Sequence, residues 1–181
     1  MNDKRLRTFL VHVEDVPGVL NRVTSLFRRR GYNIDSLTVG RTGKDGVSRM
    51  TIVMEADDDS ARRIEANLYK LVNVLRVDDA TAKATVIREL ALIKVRADAS
   101  SRPAIMQICE VFRARVVDVG PDALVCEITG TADKLAGLMG VLEPFGIVEM
   151  VRTGAVAMVR SAESDEPPVA ASISDRPKSA A

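Results

Sequence analysis

A short loop near the N-terminus carries residue types that could bind a small zwitterion. The segment Glu14-Asp15-Val16-Pro17-Gly18-Val19-Leu20 joins a predicted strand to a predicted helix. Pro17 suits the first helical turn, and Gly18 lets a ligand approach the backbone closely. Free N–H groups and the helix dipole favour a carboxylate at this turn, and the Asp15 side chain could accept hydrogen bonds from an ammonium group. A free α-amino acid presents this pair of groups.

The same residues have a simpler interpretation. A Pro-Gly pair after a strand is common in loops, and an aspartate at position 15 could satisfy N–H groups near the start of the helix. The second half of the chain offers an internal comparison. Its corresponding turn, Asp98-Ala99-Ser100-Ser101-Arg102-Pro103-Ala104, contains no glycine. Only the first half is therefore expected to bind a ligand in this way.

Composition excludes several other kinds of chemistry. The 181 residues carry 26 basic and 25 acidic side chains, a net charge of +1, so no strong field attracts a polyanion or an anionic membrane. A single histidine removes most metal sites and any scheme that needs two imidazoles. Cys109 and Cys126 lie in apolar contexts without CxxC spacing and are expected to be reduced core residues. With no P-loop, triad or paired carboxylate, intrinsic catalysis is not expected.

The elements that must position the loop form one pattern that occurs twice, in the order βαββαβ. In the first half, strands are predicted at residues 5–14, 34–39, 47–55 and 74–77. Two helical faces separate them, one through Val19, Leu20, Val23, Leu26 and Phe27, the other through Ala61, Ile64, Leu68, Leu71 and Val72. Asp57, Asp58 and Asp59 place negative charge at the start of the second helix, where the dipole favours it.

The second half repeats the order. Strands are predicted at residues 89–97, 116–119, 124–129 and 147–152. The helices between them run through Ile105, Ile108, Cys109 and Phe112 and through Leu135, Leu138, Met139 and Leu142. This predicts an α+β protein with two tandem ferredoxin-like βαββαβ units, each an antiparallel sheet with both helices on one face. The predicted divisions are residues 1–80, 81–160 and a disordered tail at 161–181, which is rich in Pro, Ser and Ala.

The open face of each sheet needs a cover. The strand at 47–55 is apolar on both faces, since Ile52 and Met54 alternate with Thr51 and Val53. A large apolar patch is not left in water, so the sheets are expected to cover each other or to pack on a second copy. No leader peptide and no apolar run long enough to span a membrane is visible, so the expected compartment is the cytoplasm.

Several segments together resemble a known family. Asp15-x-Pro-Gly-Val-Leu, then Phe27-Arg-Arg-Arg-Gly-Tyr-Asn-Ile-Asp-Ser-Leu-Thr-Val, Ser48-Arg-Met-Thr and Lys70-Leu-Val-Asn-Val-Leu-Arg-Val are similar to the small regulatory subunits of acetolactate (acetohydroxyacid) synthase. The first unit resembles an ACT domain, a module that binds amino acids. The resemblance covers about residues 5–158 and is most specific in the first 80.

The resemblance implies a non-catalytic subunit that binds the catalytic large subunit, raises its activity and confers feedback inhibition by valine. It implies a homodimer through the ACT domain, with the effector held between two chains. The residues that this places around the effector are Asp15, Gly18, Val19 and Leu20 of one chain and Asn33 and Ile34 of the other. Leucine and isoleucine are expected to be weaker ligands. Thiamine diphosphate, FAD and Mg²⁺ are expected only in the catalytic partner.

Three other functions compete with this one. RNA-binding domains share the βαββαβ order, but they stack bases on aromatic side chains of the central strands, where this chain offers Leu10, His12, Met50, Ile52 and Met54. A free-standing ACT-domain sensor that regulates another enzyme or transcription is the main alternative, and an enzyme in its own right is the third.

The basic run Arg28-Arg-Arg is either a solvated helix end or a docking patch for the large subunit.

Overall fold

A computed structural model describes residues 4–160, so the predicted tail at 161–181 lies outside the described residues. The chain divides into two compact units. Within the described residues, the first comprises 4–86 and 157–160, and the second is Ile87–Val156. None of the helices within residues 4–160 has the length and apolar character needed to cross a membrane.

The first unit contains one antiparallel sheet and two helices. Its elements are β1 Arg5–Glu14, α1 Val19–Arg29, β2 Ser36–Arg41, β3 Val47–Ala56, α2 Asp58–Leu68 and β4 Val74–Asp79. The strand order is β2-β3-β1-β4, with β1 pairing antiparallel to both β3 and β4. β1 is a central strand, as its two apolar faces predict.

The core of this unit lies between the helices and one face of the sheet. Phe9, Val11 and Val13 alternate along β1 and point to that face, where they meet the buried stripe Val23 and Phe27 of α1. The start of α2 is capped by Asp57, whose carboxylate accepts a hydrogen bond from the Ser60 N–H at 2.7 Å. That bond lowers the pKa of Asp57. The predicted acidic start of α2 is therefore confirmed.

Two details of the first unit differ from expectation. Val72 does not line α2, because the helix ends at Leu68; Val72 lies in the following turn and is 62% exposed. Met50, Ile52 and Met54 do not lie on the open face of the sheet, because all three are buried in the core below the helices. The two methionines fill that core. An RNA on the open face of the sheet would therefore contact other strand residues.

The second unit repeats the arrangement. Its elements are β5 Thr85–Arg96, whose first two residues belong to the first unit, α3 Arg102–Phe112, β6 Arg115–Val119, β7 Ala123–Gly130, α4 Ala132–Leu142, a 3-10 helix Glu143–Phe145 and β8 Ile147–Arg152. A last strand, β9 Val156–Val159, begins at the end of this unit and lies mostly in the first. The order β6-β7-β5-β8 is antiparallel throughout, and β9 pairs with β5. The predicted pair of ferredoxin-like βαββαβ units is confirmed; β9 and the 3-10 helix were not predicted.

The two cysteines belong to the core of the second unit. Cys109 on α3 and Cys126 on β7 are buried free thiols, with their Sγ atoms 3.2 Å apart. The contact with Cys109, together with burial, raises the pKa of the Cys126 thiol. A raised pKa keeps a thiol protonated and unreactive, which is consistent with a packing role for this residue.

Candidate amino-acid site at the start of helix α1

The first turn of α1 has backbone donors that no residue in the described part of the chain satisfies. Gly18 precedes the helix with φ +85°, a left-handed conformation that favours glycine, and α1 has no side-chain cap and no acidic residue in its first turn. The N–H groups of Gly18, Leu20 and Asn21 have no acceptor among residues 4–160. These donors and the positive end of the helix dipole form an arrangement that suits a carboxylate.

The Asp15 carboxylate lies beside this turn but does not cap the helix. One of its oxygens accepts a hydrogen bond from the Ser48 hydroxyl at 3.2 Å, and the other is 3.0 Å from Nε of Arg41. Its own N–H donates to the Gly46 carbonyl at 2.8 Å. The simpler interpretation, in which Asp15 satisfies the first N–H groups of the helix, is not what the structure shows.

Val19 and Leu20 take different positions in the same turn. The Val19 side chain is buried in the core, so only its backbone faces the turn, and its N–H makes a long 3.5 Å contact to the Val16 carbonyl. Leu20 is 44% exposed and leaves an aliphatic side chain at the mouth of the turn. No atom lies within 4 Å of the position that a Cβ at Gly18 would occupy, so the space in front of the turn is open.

Asn33 and Ile34 lie beyond the other end of α1, just before β2. The Asn33 side-chain N–H donates to the Asp35 carboxylate at 3.1 Å, while Ile34 is half-buried against the core. Asn33 also lines a polar cavity of about 320 Å³ together with Lys4 and Glu55. The structure therefore gives Asn33 a local turn contact and an exposed position.

The six predicted residues do not converge within one chain. Asp15, Gly18, Val19 and Leu20 share the N-terminal end of α1, whereas Asn33 and Ile34 follow its C-terminal end. An 11-residue helix is about 16 Å long. One small ligand cannot touch both ends, so a shared site requires a second copy of the chain.

The second unit shows the corresponding turn already filled. The Asp98 carboxylate accepts hydrogen bonds from the N–H groups of Ser100 and Ser101 at 2.9 and 2.8 Å, and also from both serine hydroxyls. These bonds hold the pKa of Asp98 well below its usual range. Arg102 closes the same turn by donating to the Gly120 and Pro121 carbonyls. The N–H groups of the turn before α3 are thus held by a carboxylate of the same chain, whereas no carboxylate among residues 4–160 accepts from those of the turn before α1.

Sequence reasoning missed Arg41 and Ser48 as neighbours of Asp15. The register of the β2–β3 hairpin places these two residues opposite each other, and Glu14 at the end of β1 lies opposite Val47. The pairing register of β2 and β3 would have revealed these contacts. The Gly-rich turn between the two strands did not determine that register to within a few residues. Among residues 4–160 no cluster of His, Cys, Asp and Glu could hold a metal ion.

Both halves of the chain match family profiles. Residues 9–76 match the profile described as an AHAS small subunit-like ACT domain, and residues 88–161 match the one described as the small subunit of acetolactate synthase. The acetolactate synthase small subunit of Mycolicibacterium smegmatis is 49% identical over 159 residues, covering 88% of this chain and 94% of that protein. The same subunit of Mycobacterium leprae is 48% identical over 153 residues, covering 84% and 90%.

A solved structure agrees with these relatives. The crystal structure of the acetolactate synthase small subunit from Thermotoga maritima superposes with a TM-score of 0.81 at 39% identity, covering 86% of this chain and 98% of that chain. A match of this quality extends over both βαββαβ units. The chain belongs to the acetolactate synthase small-subunit family.

Proposed function

We propose that this chain is the regulatory subunit that binds the catalytic large subunit of acetolactate synthase, raises its activity and makes it sensitive to valine. Family membership over both units supports the regulatory role. The observation that carries the valine site is the first turn of α1, with unsatisfied N–H groups and no acidic residue. In this proposal the thiamine diphosphate, FAD and Mg²⁺ of the reaction belong to the catalytic partner.

The effector is held by its two charged groups. Its carboxylate receives hydrogen bonds from the backbone N–H groups of Gly18, Val19 and Leu20, where the helix dipole adds to the attraction. The Asp15 carboxylate and the Asn33 side-chain oxygen accept hydrogen bonds from its ammonium group. Arg41 beside Asp15 balances part of the added negative charge, so the site holds a zwitterion without a large electrostatic cost.

The isopropyl group lies against Leu20 of one chain and Ile34 of the other. Leu20 is exposed in the single chain, so a ligand or a partner chain would cover it. A methylene in such a pocket contributes about 1–3 kcal/mol, so leucine and isoleucine bind more weakly than valine without being excluded.

Two copies of the chain form each site. β2 directly follows Asn33 and Ile34 and is an edge strand of its sheet, a position at which a strand of a second copy can add. Valine bound between two chains then stabilises the homodimer, because a ligand that binds only the assembled state shifts the equilibrium toward it. In this proposal residues 1–80 bind the effector and dimerise, residues 81–160 transmit or stabilise the liganded state, and the complex works in the cytoplasm.

The test is acetolactate formation by the cognate catalytic subunit. We expect the full chain to raise its rate, and valine to lower the raised rate. A rate that does not change when this chain is added contradicts the regulatory role. A raised rate that valine leaves unchanged, with leucine and isoleucine also inactive, retains that role but contradicts the effector site.

A further inference from the structure

A groove between α1 and the end of α2 combines an apolar floor with a basic rim. It has a volume of about 360 Å³ and lies on the helix side of the first unit. Leu26 of α1 and Leu71 after α2 form the floor, and both are partly buried against the core. This groove is separate from the first turn of α1, where the effector is proposed to bind.

Four cations surround the floor, and no carboxylate in residues 4–160 pairs with any of them. They are Arg22, Arg29, Arg30 and Lys70. Arg22 donates to the side-chain oxygen of Asn73, while Arg30 and Lys70 both donate to that of Asn67, at 3.3 and 3.4 Å.

The concentration of charge is local. The whole chain is nearly neutral, with a net charge of +1, so four cations on one groove do not follow from a generally basic surface. Amide oxygens satisfy single donors of these side chains but carry no charge, and the Glu14 carboxylate reaches Arg22 only through the Asn73 amide, whose Nδ2 donates to that carboxylate at 2.7 Å. An anionic partner would supply the missing compensation.

We propose that this groove is the docking site for an acidic, aliphatic-bearing segment of the catalytic subunit. The inference rests on the proposed function, which supplies that partner. An amphipathic segment can place aliphatic side chains on Leu26 and Leu71 and carboxylates against the rim, a common mode of helix-in-groove recognition. Four cations without an ion pair among residues 4–160 match the carboxylates, and opposite charges across an interface speed association and select the partner.

The floor argues for a protein segment over a nucleic acid. Nucleic acid binding combines phosphate contacts with aromatic stacking, and the groove has no aromatic lining residue. Phosphates would also leave the two leucines uncovered. A peptide with alternating acidic and aliphatic side chains covers both parts of the groove.

Arg29→Glu tests the proposal, with Arg28→Glu as its matched control. Both residues are exposed and lie in the last turn of α1, so reversal of their charge has the same effect on the helix dipole. Only Arg29 lines the groove. We expect Arg29→Glu, and independently Lys70→Glu, to weaken binding of the full chain to the catalytic subunit by at least about tenfold in biolayer interferometry. Arg28→Glu should bind within about twofold of wild type.

Salt, valine and oligomeric state complete the test. Raising the NaCl concentration should weaken the wild-type complex more than the Arg29→Glu complex. Without the catalytic subunit, wild type and Arg29→Glu should bind valine with the same affinity and should have the same oligomeric mass. If the two arginine variants bind alike while wild type binds, the groove assignment is wrong but the proposed function stands. If Arg29→Glu changes the protein's own oligomeric state, the groove contacts a second copy instead. If wild type forms no complex, the proposed function itself fails, and this assignment with it.

Discussion

Replacement of Gly18 by aspartate tests the proposed valine site most directly. A Cβ at this position has no atom within 4 Å beyond the adjacent residues, so the new side chain starts in open space, and the positive φ of +85° costs about 1 kcal/mol of folding free energy for a residue with a Cβ. The new carboxylate would neighbour an anion bound at the first turn of α1, and we take a separation of about 5 Å between the two charges. At an effective dielectric constant of about 20, the repulsion is about 3 kcal/mol, and screening in this open turn reduces it. We therefore expect a roughly ten- to hundredfold loss of valine affinity.

Gly18→Asn is the matched control, because it adds a side chain of the same size with the same backbone cost but without charge. Isothermal titration calorimetry with valine, followed by the acetolactate assay with and without valine, separates binding from activation. We expect Gly18→Asp to activate the catalytic subunit and to lose valine inhibition, whereas Gly18→Asn retains most of the affinity. Equal affinities of the two variants would refute the electrostatic reasoning, and loss of activation in both would place this turn at the contact with the catalytic subunit.

Three further outcomes follow from individual contacts. Asp15→Ala should lower valine affinity about tenfold in calorimetry, because it removes an acceptor for the ammonium group; unchanged affinity would leave Asp15 only its contacts with Ser48 and Arg41. Ile64→Ala, at a fully buried position of the first core, should lower the free energy of unfolding in urea by about 3 kcal/mol. Asp98 has a lowered folded pKa, so its stabilisation is present above about pH 4 and disappears as the pH falls through that lower pKa. Asp98→Ala should therefore lower the urea midpoint of unfolding at pH 7, and its midpoint should fall less than that of wild type as the pH is lowered. If the midpoints of the two proteins fall in parallel with pH, this expectation is wrong.

Hydropathy patterning predicted the architecture because each strand and helix has a distinct apolar period. β1 and β8 have the predicted bounds, and the repeated βαββαβ order was visible in both halves. Val72 was misplaced because its spacing continues the face of α2, while the chain turns after Leu68. β9 is only four residues long, too short for alternation to distinguish it from a loop.

The candidate site was only partly accessible from the sequence. The Pro-Gly turn and the free N–H groups at the start of α1 follow from local rules of helix initiation. The pairing of Asp15 with Arg41 depends on the register of a hairpin several residues away, which local patterning does not determine. Burial of the Val19 side chain was also hidden, since neighbouring apolar residues at a helix start can face either the core or solvent.

The two unequal turns should differ in amide hydrogen exchange. With no acceptor in the described part of the chain, the N–H groups of Gly18, Leu20 and Asn21 should exchange readily with solvent, whereas those of Ser100 and Ser101 are held by Asp98. The turn before α3 then serves as an internal standard, because Asp98 already accepts from its N–H groups and we expect their deuterium uptake not to change with effector concentration. Slower uptake at the turn before α1 in the presence of valine would report occupancy within the intact complex, without any activity measurement.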